Sequence, residues 1–333
     1  MPPADVTVMA LGHRFASLDL ERAVLAGLAE VVDGNSLDPD ERRRVLAQAQ
    51  AILLGTRDCL DAPAIAGLEN CRVIVRYGIG VDNVDLGAAA RRGILVCNVP
   101  DYAIQEVSDH ALALLLAANR RLIPAHTAAR ARQWGMTAMA GVRRLASQTV
   151  GVVGFGRIGQ TMARKVKPLV SRVVAHDSVV SPDVMEAQGV EALDFPTLLG
   201  VVDYVSIHCP LTPETCHLFD AHTLAQMKPT AWLINTARGE IIDESALAAA
   251  LAAGRLGGAA LDVLTQEPPP EDHPLLRLHN LILTPHVAYF SKEATLDLQR
   301  LAAEEARRVL VGDRPRSAVN AERLGGSSRK EQT

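Results

Sequence analysis

The sequence predicts an α/β protein of two doubly wound parallel-sheet domains, the first of them discontinuous along the chain. Three observations carry this. At 333 residues the chain exceeds the length that one hydrophobic core usually serves, which points to two domains. Short apolar runs rich in Val and Ile alternate with longer Ala/Leu-rich stretches of helical period, the rhythm of buried parallel strands and crossover helices. Aromatic residues make up only 3% against 48% hydrophobic residues, so Ala, Val, Leu and Ile must fill the core.

In the first third, strands are expected at VTVMAL from Val6, AILLG from Ala51, VIVRYG from Val73 and ILVCNV from Ile94. Helical patterns separate them, for example LDLERAVLAGLAE from Leu18. A second series begins with TVGVVGFG at Thr149 and continues with RVVAHD from Arg172 and YVSIHCP from Tyr204. AWLINTAR from Ala231, GAALDV from Gly258 and LILTPH from Leu281 complete it. Long helices bracket this series, from about Ile104 to Arg121 and from about Lys292 to Val311. The chain is therefore expected to start one domain, leave it to build another, and return. Residues 1–100 with 290–320 form the first domain and residues 101–289 the second. Residues 321–333, polar and rich in Gly and Ser from Glu322 onward, are expected to be a disordered tail.

The formal charge of -4 gives no electrostatic reason to expect nucleic acid as a partner. The basic clusters at Arg42 to Arg44 and at Arg120 and Arg121 are interleaved with acids and apolar residues and read as solvated helix faces. Five cysteines (Cys59, Cys71, Cys97, Cys209 and Cys216) include no CxxC pair and do not form a disulfide framework. No metal-ligand set is read. The N-terminus has no basic region followed by an apolar stretch, and the longest apolar run, Ala111 to Ala118, is too short to span a bilayer. A reduced, cytoplasmic setting without membrane contact is the expectation.

GFGRIG, Gly154 to Gly159, follows the strand TVGVV and opens the helical pattern RIGQTMARKV. Gly154 permits a tight turn, Gly156 lets the backbone approach a pyrophosphate, and Gly159 allows close helix–strand packing. The helix N-terminus, with Arg157 and Ile158, offers unpaired N–H groups to phosphates. Alone such a turn is weak, but the next strand ends in Asp177, 18 residues beyond Gly159, where the adenosine ribose hydroxyls are expected. A carboxylate there repels a 2′-phosphate, and the next residue is Ser178 rather than Arg, so NAD is favoured over NADP.

Later strand ends deliver Arg238 in NTARGEIID, Glu267 in DVLTQEPPP and His286 in TPHVAYF. Singly these read as a surface ion-pair partner, a loop acid and a core histidine. Brought to one sheet edge beside a cofactor turn, they suit reduction of a 2-keto acid. His286 would carry the proton, Glu267 would orient the ring, and Arg238 would bind the carboxylate or polarise the carbonyl.

With those residues in view, the chain resembles the D-isomer-specific 2-hydroxyacid dehydrogenase family. The matching stretches are RYGIGVDNVDL from Arg76, CNVPDYAIQEVSDHALALLLAANRR from Cys97, VGVVGFGRIG from Val150 and HCPLTPET from His208. INTARGEIID from Ile234, LDVLTQEPP from Leu261 and NLILTPHVAYFSKEA from Asn280 complete the set. The resemblance implies a Rossmann-like NAD-binding domain, a flavodoxin-like substrate domain, D stereochemistry and a homodimer, with the helix from Ala111 to Arg121 apolar enough to serve at the interface. It implies that Arg238, Glu267 and His286 are catalytic. It also implies that Asp262 and the Thr236–Ala237 backbone hold the nicotinamide carboxamide, and that His208, Cys209 and Pro210 border the adenine side. RYGIGVD resembles the family's substrate loop, where the amides of Ile79 and Gly80 meet the substrate carboxylate. Arg76 is there either a second cation or a strand residue paired to a surface acid, and Tyr289 would lie beside the substrate pocket. The final stretches are most similar to the branch containing the C-terminal-binding-protein corepressors, which often carries Trp where Tyr289 stands.

Two alternatives stay open at this point: an NAD(H)-sensing dimeric corepressor-like module, and a phosphite-type dehydrogenase on the same fold. Formate dehydrogenases carry Gln at the acid position, so Glu267 counts against that chemistry. Domain closure is expected about hinges near Val99 to Tyr102 and Ala288 to Ser291. Which 2-hydroxy acid is the substrate is not legible.

Overall fold

Two all-parallel sheets organise the computed structural model, which describes residues 6–325. The chain divides into one unit of Met1–Ala103 with Ser291–Thr333 and another of Ile104–Phe290. In the first unit, β1 (Thr7–Leu11), β2 (Glu30–Asp33), β3 (Ala51–Leu54), β4 (Val73–Arg76) and β5 (Leu95–Cys97) form a sheet in the order β2-β1-β3-β4-β5. That is one of the two common doubly wound orders. All four residues of β3 are fully buried, because helices cover both faces and no alternation with polar residues is required. Along β1 the side chains divide: Val8 and Ala10 pack with Leu298, Ala302 and Ala306 of the helix Lys292–Leu310. Met9 and Leu11 pack on the opposite face with Ile52, Ile65 and Leu68. The long helix starts where Ser291 accepts a hydrogen bond from the Ala294 N–H (2.9 Å). At its end the Arg72 guanidinium donates to the carbonyls of Val309 and Leu310 (2.8 and 2.9 Å).

In the second unit, β6 (Thr149–Val153), β7 (Arg172–His176), β8 (Glu191–Ala192), β9 (Tyr204–Ile207), β10 (Trp232–Asn235), β11 (Gly258–Leu261) and β12 (Leu281–Leu283) form a seven-stranded sheet. Its order is β12-β11-β10-β9-β6-β7-β8, so the winding reverses between β6 and β9. Ligands of such sheets bind outside the carboxyl ends of the strands at that switch point. One face is closed by Leu114, Leu115, Met162 and Val166. The other is closed by Leu198, Phe219, Leu247 and Leu251.

Three expectations about elements change. The pattern from Leu18 is helical only over Asp19–Val24; Gly27 at φ 75° ends it, and Glu30 already begins β2, a strand the helical reading concealed. The helix from Ile104 stops at Asn119 rather than Arg121, since Arg121 adopts a left-handed backbone (φ 48°) and a further helix, Leu122–Arg130, starts after it. The expected disordered tail begins with an ordered helix, Ala321–Gly325, anchored beside Asn320. There the Asn320 side chain accepts from the Val96 N–H and donates to the Ile94 carbonyl. The rest of that tail, 326–333, lies outside the described residues. All five cysteines are separate thiols. Among the described residues no helix is long and apolar enough to cross a membrane.

Candidate active site

The glycine turn is held from three sides. Gly154 follows β6 at φ 92°, and a Cβ on it would collide with the backbone of His208 and Cys209 after β9. Gly159 needs its missing side chain for a different reason, because a Cβ there would strike the Gly154 carbonyl. Gly156 differs from both. Its φ of -70° suits any residue and a Cβ would meet no protein atom, so its front is open. The helix Arg157–Val166 starts directly from Gly156, which leaves its first N–H groups facing the space a phosphate would need.

Asp177 ties the next strand end to this turn. One carboxylate oxygen accepts the Phe155 N–H (2.6 Å), and the other accepts those of Val179 and Val180 (2.7 and 2.9 Å). Partial burial raises its pKa, but these three donors and the nearby His176 outweigh that and hold the carboxyl below its ordinary range. Asp177 is therefore ionised at neutral pH. Beyond β9, His208 holds Ser206 through Nε2 (2.8 Å), and burial holds its imidazole down at about 4. The ring is neutral at pH 7. Burial also pushes the Cys209 thiol up to about 11, so it is a poor nucleophile. Pro210 is exposed, and its carbonyl accepts from the Thr215 hydroxyl (2.6 Å).

At the end of β10 the buried Asn235 side chain accepts from the Ala237 N–H (2.9 Å) and donates to the Arg238 carbonyl (2.7 Å). That clamp leaves Thr236 with a buried hydroxyl that has no protein partner. Arg238 lies in extended backbone (φ -144°, ψ 143°) and donates from Nη1 to the Ala237 carbonyl (2.6 Å). Gly239 lets this loop touch the one after β11, since a Cβ on it would overlap the backbone of Leu264 and Thr265.

The loop after β11 carries Glu267, and the loop after β12 carries His286. Glu267 Oε1 accepts the Leu264 N–H (3.0 Å), while Oε2 lies 2.7 Å from His286 Nδ1. A carboxylate can only accept, so Nδ1 carries the proton and Nε2 is left to face a substrate. Burial raises the Glu267 carboxyl, but the hydrogen bond and charge of His286, the Leu264 N–H and the Arg238 guanidinium together hold it below its usual range. The structure thus brings Arg238, Glu267 and His286 together. Tyr289 joins them, its ring edge-on to His286 with centroids 6.5 Å apart.

His286 sits at φ 54°, a left-handed conformation that costs a non-glycine residue about 1–3 kcal/mol and persists only where its surroundings over-determine it. Asp262, 1% exposed, supplies much of that determination. Its carbonyl accepts the His286 N–H (2.7 Å), and its carboxylate accepts the N–H groups of Val287 and Ala288 (3.0 and 2.8 Å). The Thr284 hydroxyl also donates to Asp262 Oδ1 (2.5 Å), and His110 Nε2 reaches Thr284 Oγ1 (3.0 Å). Sequence reasoning missed Asn235, Thr284 and His110. His110 sits inside a family-matching helical stretch in which nothing marks it as a site residue, and only the packing of its helix against the sheet brings it here.

Of the residues assigned to substrate, Arg76, Ile79 and Gly80 lie in the first unit, in and after β4. Arg76 donates from Nη1 to the Tyr77 carbonyl (2.8 Å), and its guanidinium occupies the space that a side chain on Gly78 (φ 139°) would fill. The Ile79 carbonyl accepts from the Asn98 side chain (2.7 Å), which holds the loop ahead of Gly80. Among the described residues no cluster of His, Cys, Asp or Glu could hold a metal ion.

With this geometry in hand, residues 112–288 match the family model described as D-isomer specific 2-hydroxyacid dehydrogenase, NAD binding domain. The chain belongs to that family. A glyoxylate reductase of Korarchaeum cryptofilum is 36% identical over 309 residues, covering 89% of this chain and 93% of that protein. A D-3-phosphoglycerate dehydrogenase of Mycobacterium leprae is 38% identical over 306 residues, 91% of this chain. This chain spans only 58% of that relative's length. Among solved structures, an NAD-dependent formate dehydrogenase from Staphylococcus aureus in complex with NAD superimposes with a TM-score of 0.80. The two are 26% identical, and the match covers 91% of this chain and 95% of that one. As a member of the family the chain has NAD as its cofactor, and the site fits it. The unpartnered Thr236 hydroxyl, the open front of Gly156 and the lowered Asp177 carboxyl leave hydrogen-bonding groups and space compatible with a dinucleotide.

Proposed function

We propose that this dehydrogenase interconverts a small D-2-hydroxy acid and its 2-keto acid, with His286 as general acid/base. The observation that carries this reading is the 2.7 Å contact between His286 Nδ1 and Glu267 Oε2, with Arg238 acting on the same carboxylate. The nicotinamide, when bound, supplies or accepts the hydride. Glu267 keeps the imidazole in one tautomer, so that Nε2 can give a proton to a carbonyl oxygen or take one from a hydroxyl. Arg238 offers a planar donor pair to the substrate carboxylate or carbonyl. Arg76 and the amides of Ile79 and Gly80 are proposed as further carboxylate contacts, and Tyr289 as a pocket wall.

Cofactor contacts are proposed for Gly154, Gly156, Arg157, Ile158, Gly159, Asp177, His208, Cys209, Pro210, Thr236, Ala237 and Asp262. Both oxygens of Asp262 already hold the His286 turn, so a carboxamide contact there would use a remaining lone pair.

A panel of keto acids, including glyoxylate, phenylpyruvate and branched acids, assayed with NADH and NADPH tests the proposal. NADH oxidation with at least one acid, and a preference for NADH, is the expected result. Tight NADH binding with no oxidation by any acid would refute the enzymatic reading in favour of a nucleotide-sensing module. Turnover of phosphite alone would move the chemistry to the phosphite-type alternative.

We also propose a homodimer in a cytoplasmic setting, the latter in keeping with the odd number of scattered thiols. Leu122, Ile123, Trp134 (91% exposed) and Met136 present apolar surface beside a cavity of about 990 Å³ lined by Trp134, Trp232, Leu281 and Ile282. A patch of that kind marks an interaction surface. Sedimentation at the mass of a single copy would refute the dimer.

A further inference from the structure

We infer that His110 is a positioning residue for the acid/base, acting on His286 through Thr284 and Asp262. The inference rests on the reading of His286 above. The direction of each hydrogen bond is fixed by proton inventory. Both Asp262 carboxylate oxygens accept backbone N–H groups, and the single Thr284 hydroxyl proton points to Oδ1 at 2.5 Å. Thr284 Oγ1 is then an acceptor toward His110, so the imidazole must donate from Nε2 across 3.0 Å. The same Nε2 lies 3.5 Å from Asp262 Oδ1, close enough to face the carboxylate directly.

Asp262 binds three consecutive N–H groups, those of His286, Val287 and Ala288. This grip holds His286 in its left-handed backbone and aims Nδ1 at Glu267. Asp262 is 1% exposed, so water does not replace a lost donor easily, and its orientation depends on the groups that face it. Thr284 and His110 are the side chains that do so. His110 comes from the helix Ile104–Asn119, far in sequence from the loop it supports. The arrangement therefore couples the packing of that helix to the rotation of the catalytic ring. Glu267 reports the result, because its lowered carboxyl pKa depends on the His286 hydrogen bond.

Two substitutions test this. His110→Leu removes the donor and His110→Gln retains one. The Leu variant is expected to lose about 10–100-fold in kcat, the scale on which a misplaced catalytic group acts, with the KM for the keto acid little changed. Its Glu267 carboxyl, followed by carbon-13 NMR, is expected to titrate at higher pH than in the native protein. The Gln variant is expected to restore most of both. Native kcat and a native Glu267 titration in His110→Leu would overturn the inference, as would a Gln variant as damaged as the Leu variant. Should His110→Leu not fold, Thr284→Val interrupts the same chain and must give the same Glu267 shift, with Thr284→Ser rescuing it. The carboxyl titration needs no substrate, so it still decides the coupling if His286 proves not to be the acid/base.

Discussion

His286→Ala is expected to lower kcat by about 10²–10⁴-fold, the usual contribution of a positioned general acid/base, while NADH still binds. The expectation follows from how the ring is held. Glu267 takes the proton-bearing Nδ1, and the Asp262 grip fixes the backbone, so neither group can substitute at the reacting oxygen. Removing the ring leaves the glycine turn untouched, because the cofactor contacts proposed there lie at the ends of β6 and β7. Steady-state rates with the best keto acid, beside a fluorescence titration with NADH, separate the two effects. Retention of most of the turnover would remove His286 from the mechanism. The pH dependence carries a sign. Glu267 is held below its ordinary 4.5, so the ionised partner that His286 needs persists as pH falls through that value and is lost only below it. An acid-side loss of activity at the ordinary glutamate value would contradict the pairing.

Gly156→Ala is expected to weaken NADH binding by about tenfold or more, equivalent to about 1.4 kcal/mol, with little change in Tm. The backbone at Gly156 is already at φ -70° and its front is free of protein atoms, so alanine costs the fold nothing there. Its methyl group would occupy the space proposed for the pyrophosphate. Gly154→Ala is the contrasting case. It places a side chain in left-handed backbone and into the backbone of His208 and Cys209, so Tm should fall by on the order of 10 °C. Thermal melts and NADH titrations of the two variants distinguish a glycine kept for the ligand from one kept for the chain. Native affinity in a folded Gly156→Ala protein would displace the pyrophosphate from this turn.

Much of the site was legible because its chemistry is tied to strand ends. Runs such as AWLINTAR and LILTPH mark both a buried strand and the polar residue it delivers, so Arg238 and His286 could be placed at strand ends on one sheet edge beside the glycine turn. Glu267 was legible only from the motif around it. Where local pattern misled, tertiary context was the cause. The apolar positions of LDLERAVLAGLAE fit a helix, but its last residue pairs into β2, which a parallel neighbour stabilises and no local periodicity records. The helix Ala321–Gly325 likewise rests beside the buried Asn320, whose partners are more than 200 residues away in sequence.

By itself the sequence determined the strand–helix alternation, the glycine turn with Asp177 at the end of the next strand, and the three side chains proposed as catalytic. These are local properties, set by periodicity, φ requirements and side-chain chemistry. Only the tertiary structure decided that Asp262 spends both carboxylate oxygens on the His286 turn, that Asn235 clamps the Arg238 loop, and that His110 stands behind Thr284. Those relations depend on which strands lie side by side and which helix covers them. They are fixed by burial of the whole sheet, and no window of sequence contains them.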